Sequence, residues 1–225
     1  MALPVRPVQG SRHEETFPTL TAREMERLRR YGTPHKFADG EKLFQTGKRV
    51  PGAFLVLCGV VAVSERDGLG HSTPIVEEGV GQFLGEVGLL SGNASLVDAT
   101  AEGEVEALLI PPDKFRSVLI AEADLGERIM RALILRRVAL LQAGAGIVLI
   151  GSPAAADVIR LEGFLARNGY PQRLLAPATD PEAREVITRY ADAAGGLPLA
   201  VCPDGTVLGN PSETALARQI GLTVP

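Results

Sequence analysis

The sequence predicts an α+β protein of two domains, a small all-β roll with flanking helices followed by an α/β domain. Three observations carry this expectation. From Lys36 to Ile110, short apolar runs are punctuated by Asp39-Gly40, Thr46-Gly47, Asp67-Gly68 and Glu78-Gly79, the texture of short strands joined by tight turns. From Ala123 to Ala143, apolar residues recur at helical spacing. After the small-residue joint Ala143-Gly144-Ala145-Gly146 the pattern becomes β, α, β, α, β, β, α. A chain of 225 residues suits two domains of ordinary size, here 18–143 and 146–225.

Each element has its own local signal. Residues 1–17 hold two prolines, a glycine and unpatterned charge, and read as a flexible arm. Thr21 and Glu24 form a capping box that opens a short helix to about Tyr31, with Met25 and Leu28 on its apolar face. Strands are expected at Lys42 to Phe44, Ala53 to Val63, Pro74 to Val76 and Ala107 to Ile110, with Gly59 making a turn between two strands. Pro111-Pro112-Asp113 ends the sheet, and Phe115, Val118 and Leu119 follow at helical spacing. The long helix carries Leu125, Ile129, Leu133, Leu140 and Leu141 as a stripe that suits either a homodimer seam or one-sided packing on its own domain. Beyond it come a strand at Ile147 to Ile150, a helix from Ala154 to Asn168, and a strand at Arg173 to Leu175. A helix capped by Asp180 then runs to Gly195-Gly196, a hairpin turns at Pro203-Asp204-Gly205-Thr206, and Ser212 caps a last helix to Ile220.

Composition narrows the function. Hydrophobic residues make up 45% and charged residues 22%, enough to build real cores. The formal net charge is -4 without a basic run, which argues against nucleic acid and anionic membranes as partners. No apolar stretch reaches the about 18 residues of a membrane span and the N-terminus has no signal-type apolar core, so a cytoplasmic location is expected. Cys58 and Cys202 each sit in an apolar run and are expected to be buried strand thiols. His13, His35 and His71 have no carboxylate or cysteine at metal-ligand spacing, so they read as solvated and no metal site is expected. No GxxxxGK[ST] loop, HExxH helix or CxxC pair is present.

One segment is more specific. Gly81-Gln82-Phe83-Leu84-Gly85-Glu86-Val87-Gly88-Leu89-Leu90 and the following Ser91 to Ala101 resemble the phosphate-binding cassette of cyclic-nucleotide-binding domains. Gly85, Glu86 and the apolar Val87, Leu89 and Leu90 match its pattern, and the resemblance places Gly88 among the ligand-binding residues with them. The resemblance covers about residues 18–143 and implies a β-roll with flanking helices. It also implies that the glutamate takes the ribose hydroxyl, a short helix offers backbone N–H groups to the cyclic phosphate, and an arginine neutralises it. Ser95 stands where the arginine belongs, followed by Leu96, Val97 and Asp98 in place of small residues and threonine. Loss of an Arg–phosphate contact worth about 1.5 to 3 kcal/mol weakens binding roughly tenfold or more. Cyclic nucleotide is therefore expected to be a weak ligand, and Ser95→Arg to strengthen it.

The second domain resembles a thioredoxin or glutaredoxin fold on its element order and on Gly196-Leu197-Pro198-Leu199, where Pro198 matches that family's cis-proline. The run Ile150-Gly151-Ser152-Pro153-Ala154-Ala155 falls where the family has CPxC, with Ser152 and Ala155 at the cysteine positions. The groove of Ser152, Pro153, Ala155 and Pro198 is thus expected to be redox-inactive. The pair of modules resembles the N-terminal region of bacterial cyclic-nucleotide-domain, thioredoxin-reductase-like flavoproteins, whose FAD and NADPH unit is not in this chain, since no GxGxxG follows a strand. The resemblance implies a regulatory module without catalytic residues, acting on such a flavoprotein in cis or trans. The alternative is a thiol–disulfide oxidoreductase, or the N-terminal part of one, which requires Cys202 exposed near Pro198 and Ser152.

Overall fold

The computed structural model describes residues 11–85, 88–91, 94–143 and 146–222. The chain divides into two compact units, one of the residues up to Glu65 with Thr73–Val138, the other of Arg66–Ser72 with the residues from Ala139 onward.

The first unit opens with α1 (Ser11–Thr16) and α2 (Ala22–Arg29). The arm expected to be loose therefore contains a helix, and its Thr16 is buried; residues 1–10 of that arm lie outside the described residues. The Thr21 cap is reciprocal: its hydroxyl accepts from the Glu24 N–H at 3.3 Å, and its own N–H donates to the Glu24 carboxylate at 2.7 Å. The strands are β1 (Thr33–Phe37), β2 (Lys42–Phe44), β3 (Ala53–Arg66), β4 (Ser72–Glu78), β5 (Phe83–Leu84) and β6 (Val97–Ile110). They form one sheet in the order β1-β6-β3-β4, with β2 on β6 and β5 on β3. Three helices complete the unit: α3 (Gly88–Ser91), α4 (Pro112–Ala121) and α5 (Ala123–Ala143).

Gly59 does not make the turn expected of it. β3 is continuous, and its register against β6 shifts on both sides of Cys58. Gly59 adopts φ +86° at this bulge, where a Cβ would lie 2.4 Å from the Glu104 carbonyl oxygen. The bulge also corrects the expectation for Cys58. Val56 points inward, but the extra rotation turns Cys58 to solvent. The α5 stripe takes the one-sided solution: Leu125, Ile129 and Leu133 pack with Leu28, Leu55, Leu89, Leu108, Phe115 and Val118 in one core. Each fully buried large side chain contributes about 1.5 to 3 kcal/mol of transfer free energy. Leu140 is also buried, and the side chain of Leu141 lies outside the described residues.

The second unit contains β7 (Ile147–Ile150), α6 (Ala156–Arg167), β8 (Gln172–Leu175), α7 (Pro181–Ala194), β9 (Leu199–Val201), β10 (Val207–Gly209) and α8 (Glu213–Gln219). Its sheet order is β10-β9-β7-β8, with β7 parallel to β8 and antiparallel to β9. All four residues of β7 are buried, as a continuous apolar run in a central strand requires. α6 starts two residues later than expected because Ser152 to Ala155 form a turn closed by Ala155 N–H to the Ser152 carbonyl at 2.9 Å. The Leu197–Pro198 peptide is cis. The Asp180 carboxylate accepts from the N–H groups of Glu182 and Ala183, and the Ser212 hydroxyl accepts from Ala215 N–H.

Arg66–Ser72 divides with this second unit through specific contacts. Asp67 bridges Gly146 in parallel, and Gly68 is so close to Val201 that a Cβ would lie 2.2 Å from its carbonyl oxygen. The Asp67 carboxylate takes Arg173 at 3.0 Å and His71 Nδ1 at 2.9 Å, while His71 Nε2 lies 3.2 Å from Glu182. His71 is exposed, as expected of a solvated histidine, but it has two carboxylate partners that the sequence reading did not give it. Asp67, four residues earlier, turns back onto the ring because the same carboxylate closes the turn by accepting from Leu69 and His71 N–H. No helix among the described residues is long and apolar enough to cross a membrane.

Candidate functional site

The cassette is built from the end of β5 to the start of β6. Phe83 and Leu84 pair with Leu55 and Phe54 of β3, which delivers Gly85 to the barrel wall. Gly85 takes φ +150°. Glu86 and Val87 lie outside the described residues. Gly88 opens α3, and Leu89 is buried in the core beside the α4 and α5 side chains. Arg116 of α4 donates to the Leu90 carbonyl at 2.5 Å, tying the short helix to the longer one.

Ser95, at the arginine position, is 1% exposed. Its hydroxyl donates to the Val97 carbonyl at 2.8 Å and accepts from Val97 N–H at 3.2 Å, so it is turned onto its own chain. Its backbone is held on both sides, by Gly47 N–H to the Ser95 carbonyl and Ser95 N–H to the Lys48 carbonyl. Leu96 is fully buried, a large apolar side chain where the cassette pattern has a small one. Asp98 is almost wholly buried and bonded to the Lys42 ammonium and the Thr46 N–H, each at 2.7 Å. Burial pushes this carboxyl up, but the Lys42 and Thr46 bonds together hold it below the ordinary aspartate value. Lys42 is thus committed to Asp98, a pairing with no local signal in the sequence because the two residues are brought together only by the β2–β6 ladder.

A second feature that sequence reasoning missed lies beside the cassette. Glu78 at the end of β4 and Arg136 of α5 are 1% and 9% exposed, with Nη2 and Oε1 2.9 Å apart. Burial pushes the Glu78 carboxyl up to about 7 against the opposing pull of Arg136, and burial likewise lowers the guanidinium. The sequence did carry a signal. Arg136 falls on the same helical spacing as Ile129, Leu133 and Leu140, a charge on the buried stripe.

Residues 34–122 match the family model described as cyclic nucleotide-binding domain. These residues are a cyclic nucleotide-binding domain. Solved structures with likeness to it include one from a cyclic-GMP-dependent signalling pathway that regulates bacterial phytopathogenesis, 26% identical with TM-score 0.47, covering 54% of this chain and 96% of that one. Another is the N-terminal domain of a transcriptional regulator from Streptomyces coelicolor A3(2), 22% identical with TM-score 0.43, covering 57% and 91%. A third is the regulatory subunit of a cAMP-independent protein kinase A from Trypanosoma brucei, 22% identical with TM-score 0.43, covering 54% and 46%. No curated protein matches the chain. At the two positions where the sequence is read as departing from the cassette pattern, Ser95 and Leu96 are both buried, and the Ser95 hydroxyl is closed on Val97.

In the second unit the expected groove residues fall in two stretches, Ser152 to Ala155 before α6 and Pro198 before β9. Ser152 and Pro153 are exposed, Ala155 is the N-cap of α6 without a side-chain cap bond, and Pro198 is buried. The link is Gly151, where a Cβ would lie 3.1 Å from the Pro198 Cβ. Cys202 is 1% exposed, and burial, with Asp204 adding to it, pushes its thiol up to about 12. A thiol so placed is neither ionised near neutral pH nor open to a disulfide partner. Among the described residues, no group of three or more His, Cys, Asp or Glu is arranged to hold a metal ion.

Proposed function

We propose that this chain is a non-catalytic regulatory module: its cyclic nucleotide-binding domain senses a small ligand or a partner, and its second unit, read as thioredoxin-like, passes that state to a thioredoxin-reductase-like flavoprotein in cis or trans. The reading rests on one observation, a cyclic nucleotide-binding domain over residues 34–122 in which position 95 carries a self-bonded serine. Without the cation, a cyclic nucleotide gains only the ribose contact and the backbone N–H groups, so it binds weakly or yields the pocket to another ligand. The thioredoxin-like reading is supported by the strand order β10-β9-β7-β8 with its parallel β7–β8 pair and by the approach of Gly151 to Pro198. Any FAD or NADPH belongs to the flavoprotein unit, and the buried Cys202 argues against thiol–disulfide exchange by this chain itself.

Isothermal titration of the full chain with cyclic AMP and cyclic GMP tests the reading. Weak binding that strengthens about tenfold or more in Ser95→Arg/Leu96→Ala is the expected result, the second change making room for the guanidinium. Tight binding by the unaltered chain overturns the argument from Ser95.

A further inference from the structure

The second unit takes seven residues, Arg66–Ser72, from the turn that joins β3 to β4. They fill a definite place in it. Leu69 packs against the core of Val148, Ile150, Leu175, Ala183, Leu199 and Val201, on the sheet face that α7 covers. Gly68 lies against the end of β9, so close that a Cβ would meet the Val201 carbonyl oxygen at 2.2 Å, and Asp67 bridges Gly146 just before β7. One carboxylate both shapes the turn and ties it down. Asp67 accepts from Leu69 and His71 N–H with Oδ1 and from Arg173 of β8 with Oδ2 at 3.0 Å.

The last tie is His71. Its Nδ1 lies 2.9 Å from Asp67 Oδ2 and its Nε2 3.2 Å from Glu182 Oε1 of α7. Carboxylates on both ring nitrogens are satisfied together only when both nitrogens carry a proton, since an ionised carboxylate accepts and does not donate. In the neutral ring one nitrogen presents a lone pair to a carboxylate instead. We propose that Arg66–Ser72 is a proton-operated latch of the second unit: the imidazolium of His71 clasps the turn to α7 and keeps Leu69 on the core, and the neutral ring loosens the turn and opens that core to solvent. Among the described residues, the charged groups that face the ring are Asp67 in its own turn, Glu182 on α7 and Arg173 on β8, and two carboxylates against one guanidinium favour the charged form. The ring is exposed, so solvent screening keeps the effect modest. The latch goes beyond the ligand reading, because it makes the openness of the second unit depend on pH whether or not the first unit binds a nucleotide.

Hydrogen exchange of the full chain tests the latch, read as protection of the β7 and β9 amides, Ile147–Ile150 and Leu199–Val201. Protection is corrected for the intrinsic pH dependence of exchange and compared at pH 5.5 and pH 8. In the unaltered chain it is expected to fall about threefold over that interval. Glu182→Gln is expected to remove most of this fall, because the amide can donate to a neutral Nε2 and hold the latch closed at pH 8. Leu69→Ala takes away the apolar contact, so protection should be about tenfold lower already at pH 5.5, with a smaller further fall. Glu78 of the first unit titrates in the same interval, but it is present in all three proteins, so the differences between them belong to the latch. Equal pH dependence in the unaltered chain and Glu182→Gln overturns the proposal. So does a pH effect confined to residues 67–71 that leaves β7 and β9 unmoved, or protection in Leu69→Ala equal to that of the unaltered chain. Should Leu69→Ala fail to fold, the Glu182→Gln comparison decides the matter by itself.

Discussion

Glu78→Gln should flatten the pH dependence of the first unit's stability. The carboxyl is 1% exposed and its value rises from an ordinary 4.5 to about 7 in the fold. A carboxyl whose folded value is raised binds its proton more tightly when folded, so its contribution is full below the unfolded value and is lost as pH rises through the folded one. Between pH 5.5 and 8 that loss integrates to about 2 kcal/mol, since each tenfold difference in proton affinity between the folded and unfolded chain is worth about 1.4 kcal/mol. Glutamine keeps the shape and has no proton to lose, so its stability should stay flatter over the same window. Asp98, held below its ordinary value, loses its contribution only as the pH falls, and so lies outside this window. The assay is urea unfolding of the full chain at several pH values, followed by exchange protection of the β3 amides, Ala53 to Val63. With a urea slope of about 2 kcal/mol per molar, the wild-type midpoint should fall about 1 M more than that of the variant. Equal pH slopes for the two proteins would refute the assignment of Glu78 as a proton-linked buried acid.

The two thiols should differ in kind: an alkylating reagent on the native chain should modify Cys58 and leave Cys202, with the second modification appearing only in denaturant by mass spectrometry. Gly68→Ala puts a Cβ 2.2 Å from the Val201 carbonyl oxygen, so it should cost the second unit about 1 to 3 kcal/mol, seen as a lower Tm; Gly70→Ala meets no atom within 4 Å and should cost only the strain of a side chain at φ +89°, about 1 kcal/mol. His71 is raised above its ordinary value by the Asp67 hydrogen bond first, with Glu182 adding to it and Arg173 opposing. Its contribution is therefore present below the ordinary histidine range and lost as pH rises through the folded value; His71→Gln should remove a loss of exchange protection in Asp67 to His71 across that range.

Local chemistry is legible where it acts within a few residues. The Thr21 capping box, the Asp180 and Ser212 caps and the hairpin at Pro203 to Thr206 each follow from neighbouring side chains meeting neighbouring N–H groups, and the structure has them at the expected places. Gly59 is not legible in this way, because φ above zero serves a bulge as readily as a turn, and nothing local distinguishes the two. Cys58 follows it to the solvent side, since one extra residue in a strand reverses which face a side chain takes. The absent cassette arginine can be seen directly in the sequence. What stands in its place, a serine closed on its own backbone and a lysine spent on Asp98, depends on how β2 lies along β6.

Hydrophobic period, turn residues and side-chain identity at fixed spacing were enough to read a β-roll followed by an α/β unit, and a Gly-Glu segment that resembles the phosphate cassette but carries serine at position 95. It takes the folded chain to bring Lys42 to Asp98, Glu182 to His71, and Arg136 to the carbonyls of Thr16, Phe83 and Gly85. Those partners are separated by up to 120 positions along the chain. For Asp98 and Arg136 the interactions depend on burial removing the water that otherwise satisfies each group, and Glu182 reaches His71 only because the chain has folded; no local pattern of residues imposes either condition.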